Sequence, residues 1–220
     1  MCGRYGFHEG QAVLRKALRL TEEPPKVPDR YNLAPTQTVP VVGQDDRGRR
    51  LGEMRWGIAL KREGRPASTI FNIRADTVLK NGLWRSRLLK ARIVAPASHF
   101  YEWVGEPGSK ARTPLLIKRR DGRPLCIAAV FGHSDHEADG RALTLITTEA
   151  PPELSHIHLR WPAVLDEDSL EVWFDPATSL DALAELLMPP PAGWFEYFAV
   201  GPAVNNVRND SPDLAAPFGA

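Results

Sequence analysis

Four short stretches carry side chains that a folding code alone does not require: MCGRY at 1–5, FNIRADT at 71–77, HFYEW at 99–103 and SHIHLRWP at 155–162. The first raises the sharpest chemical question. A small second residue permits removal of the initiating methionine, and Cys2 then carries a free α-amine beside its thiol. Such an aminothiol captures aldehydes. With pKa values of about 7.8 for an α-amine and about 10.4 for lysine, roughly 14% of the former and about 0.04% of the latter are unprotonated at pH 7. The terminus is therefore the better nucleophile by a few hundredfold. Once the amine has formed an imine, the thiol closes on the same carbon as a five-membered thiazolidine, a ring closure that proximity favours. The same two groups also suit an N-terminal-nucleophile hydrolase, in which the thiolate attacks an amide and the α-amine acts as base.

Taken singly, the other stretches have plain structural readings. Asn72 is placed to cap a helix starting within IRADTVL, Glu102 to face solvent from a strand, and His158 to sit half-buried. Arg74 has Asp76 as a neighbouring partner, and Trp56 suits a core. Taken in order, however, the stretches resemble the SRAP family, the SOS response-associated peptidase domain proteins that shield abasic sites in single-stranded DNA. The resemblance runs from Met-Cys-Gly-Arg through Asn32, Ala34, Pro35 and Thr36, then Arg55-Trp56-Gly57, Asn72 with Arg74, and Phe100 to Trp103. It continues with Thr147 near a strand end and with Ile157, His158, Arg160 and Pro162; an echo follows at Val204, Asn206, Val207 and Asn209. The chain departs from the family pattern at Asp76, where glutamate is usual, at Ile93, where cysteine is frequent, and at Trp161, where methionine is common. It also lacks the second tryptophan expected after Arg-Trp-Gly, reading IALKREGRP instead.

The resemblance implies a single SRAP domain over residues 2–220 that captures the abasic sugar covalently through Cys2 once Met1 has left. On the same basis Glu102 is the general acid/base for ring opening and imine formation, His158 moves protons near the sugar oxygen, and Asn72 orients Cys2. Arg4, Arg74 and Arg160 grip phosphates, contacts that give affinity without sequence choice. Trp103, Pro35 and Trp56 offer flat surfaces to the neighbouring bases, and Asn32 and Thr147 complete the DNA-binding set. The expected partner is single-stranded DNA with abasic sites, including junctions, with no metal or cofactor. The competing readings are the thiol hydrolase and a non-covalent single-strand binder.

The elements that must position these groups are mostly strands. Residues 11–20 show helical spacing of apolar residues, with the proline-rich TEEPPKVPDR behind them. TVPVVGQDDRGRRLGEMRWGI reads as two strands around a polar turn. TPLLIKRRDGRPLCIAAVF reads as a second hairpin on Asp121-Gly122. ALTLITT and WFEYFAV are further strands, and SLEVWF and SLDALAELL are short helices with Ser169 and Ser179 as N-caps. Hairpins without βαβ alternation predict an α+β domain of mainly antiparallel sheet, barrel-like and flanked by short helices.

Composition agrees with a folded domain that needs no staples: 220 residues, 43% apolar, 25% charged, net charge +1. Its cations are clumped as RGRR, KREGR, WRSRLLKAR and KRR, so the small net charge is compatible with a basic face. No run approaches the roughly 20 apolar residues of a membrane span. Two cysteines are too few for a usual zinc site; Cys126, within PLCIAAVF, reads as a small buried hydrophobe. The expected location is the cytoplasm, on the nucleoid when bound to DNA.

Overall fold

The computed structural model describes residues 2–62, 65–105, 112–134 and 140–219. Met1 and positions 63–64 of the KREGR run lie outside them. Fifteen strands and five α-helices occur among the described residues. In chain order they begin with β1 (Tyr5–Phe7), α1 (Gln11–Ala17), β2 (Arg30–Leu33), β3 (Thr38–Asp45), β4 (Gly48–Trp56), β5 (Ile58–Arg62) and β6 (Arg65–Ile70). Next come β7 (Asn72–Arg74), α2 (Ala75–Lys80), α3 (Gly82–Lys90), β8 (Arg92–Ala97), β9 (His99–Val104), β10 (Thr113–Arg119) and β11 (Leu125–His133). The last are β12 (Arg141–Glu149), β13 (Arg160–Pro162), β14 (Val164–Leu165), α4 (Ser169–Phe174), α5 (Leu180–Leu186) and β15 (Phe195–Ala199).

Five of the strands close into a ring, in the order β12, β4, β3, β8, β11 and back to β12. All of these pairings are antiparallel except β4 with β12; β7 also joins β12 in parallel, aligning Asn72 with Leu145 and Arg74 with Thr147. Ring closure satisfies sheet edges that would otherwise stay open. A second antiparallel sheet runs β15, β10, β9, β1, β2. Side chains alternate across such a sheet. Tyr5, Phe100 and Ile117 face the main core, whereas Tyr101, Trp103 and Leu116 belong to a smaller cluster with Val200, Val204 and Leu214.

The C-terminal segment covers that second face, and Asn32 holds it there. Asn32 Nδ2 reaches the carbonyls of Val204, Asn206 and Asn209 at 2.8–3.2 Å, while its Oδ1 accepts from Arg4 Nη1 at 2.8 Å. Tyr101 adds a hydroxyl bond to the Leu214 carbonyl at 3.3 Å. The Val-x-Asn-Val-x-Asn echo is thus the stretch whose backbone Asn32 grips.

Three local expectations are corrected. The Asp121-Gly122 turn exists, with Gly122 at φ +71°, but it joins strands of different sheets. Strand β10 is flanked by β9 and β15, and β11 by β8, β12 and β14, so neither has an edge left for the other. Asn72 lies in β7 and caps nothing; α2 starts after Arg74. Ser179 caps α5 by accepting from the Ala182 amide at 3.2 Å, but Ser169 is itself capped, its amide donating to Asp166 Oδ1 at 2.7 Å.

Replacing Asn32 with Ala leaves the Asn206 and Asn209 carbonyls without the Asn32 amide and removes one of the two acceptors of Arg4 Nη1. The expected loss is about 3 kcal/mol of unfolding free energy, read by denaturant titration. Amide exchange should accelerate over residues 202–215 and stay unchanged in the ring strands.

Candidate functional site

Strand β1 carries the start of the chain into the molecule. Tyr5 pairs with both Phe100 and Leu33, and Gly6 with His99. Gly6 is required by closeness: a Cβ there would lie 2.2 Å from the His99 ring, which is itself buried. This pairing leaves Cys2 fully buried at the inner side of the second sheet. Asn72 Nδ2 donates to the Cys2 carbonyl at 2.6 Å. The buried Glu102 carboxylate, two residues beyond Phe100 on β9, is close enough to act on the thiol electrostatically. Burial first, and Glu102 second, push the Cys2 thiol up to about 12; the Arg4 backbone amide opposes them. Two polar atoms are enclosed here without a hydrogen-bond partner among the described residues: Asn72 Oδ1 and the Tyr5 hydroxyl. Tyr5 also interacts electrostatically with Cys2, and burial raises its pKa well above that of an ordinary phenol. Sequence reasoning passed over Tyr5; its place in MCGRY was the available signal.

Trp56 is corrected from a base-stacking surface to a buried support. Its ring is fully enclosed, 5.3 Å from that of Tyr5, and its Nε1 donates to the Phe71 carbonyl at 2.8 Å, immediately before Asn72. Its backbone exchanges bonds with the next segment as well: Thr36 N to Trp56 O at 2.8 Å and Trp56 N to Gln37 O at 2.9 Å. Those bonds hold Thr36 at φ +75°, a strained conformation for a β-branched residue. Pro35, half-buried beside it, is presented by this loop. Asn32 is likewise corrected: it is wholly buried and its amide is spent on the C-terminal segment.

Arg4 and Trp103 project to the other face of β1 and β9. Arg4 Nη1 also donates to the Val204 carbonyl at 2.7 Å, and its guanidinium lies 5.6 Å from the Trp103 ring centroid. Trp103 Nε1 donates to Asn205 Oδ1 at 2.6 Å. These contacts make Arg4 a strut of the C-terminal cover and fix the edge of Trp103, which remains half-buried.

A third group gathers where β7, β12 and β13 meet. Register places Arg74 beside Thr147 and Thr147 opposite Pro162. Thr147 is buried; its hydroxyl donates to the Ile73 carbonyl at 3.2 Å and accepts from Arg160 Nη2. The Arg160 amide lies 2.9 Å and the Arg160 carbonyl 3.0 Å from His158 Nδ1, so both backbone groups of Arg160 hold the ring. Arg74 forms a two-pronged pair with Asp76, both contacts 2.9 Å. The sequence-derived site thus resolves into a Cys2–Asn72–Glu102 centre, a neighbouring Arg74–Thr147–His158–Arg160 group, and the Arg4–Asn32–Trp103 layer behind β1. No cluster of three or more metal-ligating side chains occurs among the described residues, and none of their helices is long and apolar enough to cross a membrane.

Comparison with known proteins identifies the family. The family described as SOS response associated peptidase (SRAP) matches residues 1–207. The chain is 31% identical to the abasic site processing protein YoaM of Bacillus subtilis across 97% of each protein. It is 30% identical to the abasic site processing protein HMCES of Gallus gallus, over 99% of this chain and 78% of that one. Among solved structures, a protein from Bacteroides thetaiotaomicron superposes with a TM-score of 0.80 at 18% identity, covering 98% of this chain and 99% of its own, a likeness of fold. The α+β architecture, the buried N-terminal cysteine and the whole-length match lead to one conclusion: this chain belongs to the SRAP family.

Proposed function

We propose that this protein processes abasic sites in DNA by capturing the open-chain aldehyde of the damaged sugar on Cys2, after loss of Met1. The relatives named as abasic site processing proteins support the target. The observation that carries the chemistry is the meeting of Cys2, Asn72 and Glu102 in one enclosed place.

The α-amine attacks first. Its nitrogen bonds to the carbonyl carbon, the carbonyl oxygen gains protons and leaves as water, and an imine results. The thiol sulfur then bonds to the imine carbon while its proton passes to nitrogen, closing the thiazolidine. Glu102 delivers and takes up these protons, and His158 serves the sugar oxygen. Asn72 holds the Cys2 carbonyl, and its unpartnered Oδ1 is an acceptor for the freed amine or a sugar hydroxyl. Closing the ring removes the free imine, the intermediate from which strand-breaking elimination proceeds.

Burial raises the Cys2 thiol pKa, which disfavours the hydrolase reading, whose required nucleophile is the thiolate. Capture led by the amine has no such requirement.

Incubation with a single-stranded oligonucleotide holding one abasic site should yield a slow-migrating, stoichiometric adduct. Cys2→Ala, and wild type with Met1 retained by intact mass, should give none; equal adduct from either variant sinks the proposal. The capture rate should rise about tenfold per pH unit at acid pH and level off near the α-amine pKa of about 7.8, because only the unprotonated amine attacks. A rise continuing toward pH 12 would show instead that thiolate formation limits the rate. Glu102→Gln should slow capture by about 10²-fold and change non-covalent affinity less than threefold; equal losses in both would assign Glu102 a scaffold role.

A further inference from the structure

The Tyr5 hydroxyl has no task in the fold or in the reaction steps described above. The side chain is fully buried in the main core, and its oxygen is enclosed with no hydrogen-bond partner among the described residues. Leaving a buried hydroxyl unpaired costs stability, whereas phenylalanine fills nearly the same space without that cost. A group that weakens the fold in this way points to a use in the chemistry.

The surrounding strands fix where that hydroxyl lies. Tyr5 pairs with Phe100, and Glu102 stands on the same face of β9 as Phe100. Tyr5 and Glu102 are therefore diagonal neighbours, a separation that aromatic and long side chains bridge. Cys2 belongs to the same core cluster as Tyr5 and Phe100. Trp56 packs on the Tyr5 ring, 5.3 Å between centroids, and limits where the hydroxyl can point. Tyr5 also interacts electrostatically with Cys2; burial first and Cys2 second keep its O–H protonated, with Arg30 opposing them.

Ring closure is the step that needs such a group. The sulfur gives up its proton as it bonds to the imine carbon, yet burial and Glu102 both act against negative charge there. The Arg4 backbone amide supplies one donor. A second donor, fixed in place before the reaction begins, lowers the barrier in the way that an oxyanion hole does. Asn72 Nδ2 is bound to the Cys2 carbonyl and Glu102 is a carboxylate, so Tyr5 is the neighbouring neutral donor with its proton still to place.

We propose that the Tyr5 hydroxyl is a catalytic donor for the closing sulfur and, with the Arg4 amide, stabilises the charge that develops on Cys2 Sγ as the thiazolidine forms. The S–C bond forms, the π pair of the C=N bond moves to nitrogen, the thiol proton ends on that nitrogen, and Tyr5 keeps its own proton throughout. The inference rests on the capture reading above and separates its two bond-forming steps: attack by the amine does not use Tyr5, and closure does. The fate of the strand follows, because an imine that closes slowly stays open to elimination.

The test compares full-length wild type with Tyr5→Phe, both freed of Met1 by intact mass, on a single-stranded oligonucleotide holding one abasic site. Samples are quenched over time with borohydride, which reduces the imine and leaves the thiazolidine, and intact mass separates the two adducts by the added hydrogens. Tyr5→Phe should form its first adduct at the wild-type rate and close about 10²-fold more slowly. It should therefore show a larger reduced-imine fraction and more strand scission. Its melting temperature should equal or exceed that of wild type, since an unpaired buried hydroxyl has been removed. Equal imine fractions in the two proteins would overturn the donor role and leave capture by Cys2 intact. A lower melting temperature with equal slowing of both steps would likewise overturn it and make Tyr5 a structural residue. Wild type that forms neither adduct would overturn the donor role and the capture reading together.

Discussion

The pairing of β1 between β9 and β2 is the constraint on which the rest of the site depends. Most chain termini lie at the surface and fray. Here three residues, Tyr5–Phe7, are bonded on both edges, and the segment ahead of them has nowhere to go but inward. Cys2 is consequently fully buried within two residues of the chain's start. The close approach of Gly6 to His99 and the enclosed Tyr5 ring against Trp56 make that insertion tight.

Two sides of one short sheet then do different work. The side facing the ring carries Glu102 and meets Cys2 and Asn72. The other side carries Arg4, Tyr101 and Trp103 and is covered by the C-terminal segment through Asn32. Residues close together in sequence are therefore set on opposite sides: Arg4 supports the cover, while Cys2 is held by Asn72. Trp56 links the two halves from within, bonded to the Thr36 loop, packed on Tyr5 and bonded just before Asn72. It acts on the site by position and touches no solvent.

Burial also sets the order of events in the proposed reaction. Enclosing the thiol next to a carboxylate raises its pKa, which favours the amine-first addition of the proposed reaction. Arg160 of the neighbouring group is tempered by burial as well, whereas the Asp76 side-chain hydrogen bond raises the pKa of Arg74. Burial lowers the pKa of Arg160, with Arg74 acting in the same direction, while Asp76 and Glu149 oppose it.

Much of this was legible in the sequence. Strand and helix positions followed from apolar periodicity, because alternation and 3.6-residue spacing are local properties of the chain. The functional groups of MCGRY, FNIRADT, HFYEW and SHIHLRWP were legible as residue types, whereas their protonation depends on burial and neighbours that only the fold supplies. What the tertiary structure alone decided was partnership and face. Asp121-Gly122 looks like a hairpin turn, but both flanking strands have their edges filled by distant segments. Asn32 and Trp56 look like surface ligands until the C-terminal segment and the Tyr5 ring close over them. Pairing between strands as far apart as Tyr5 and Phe100 depends on which edges remain open after every other strand has paired, and no window of sequence contains that information.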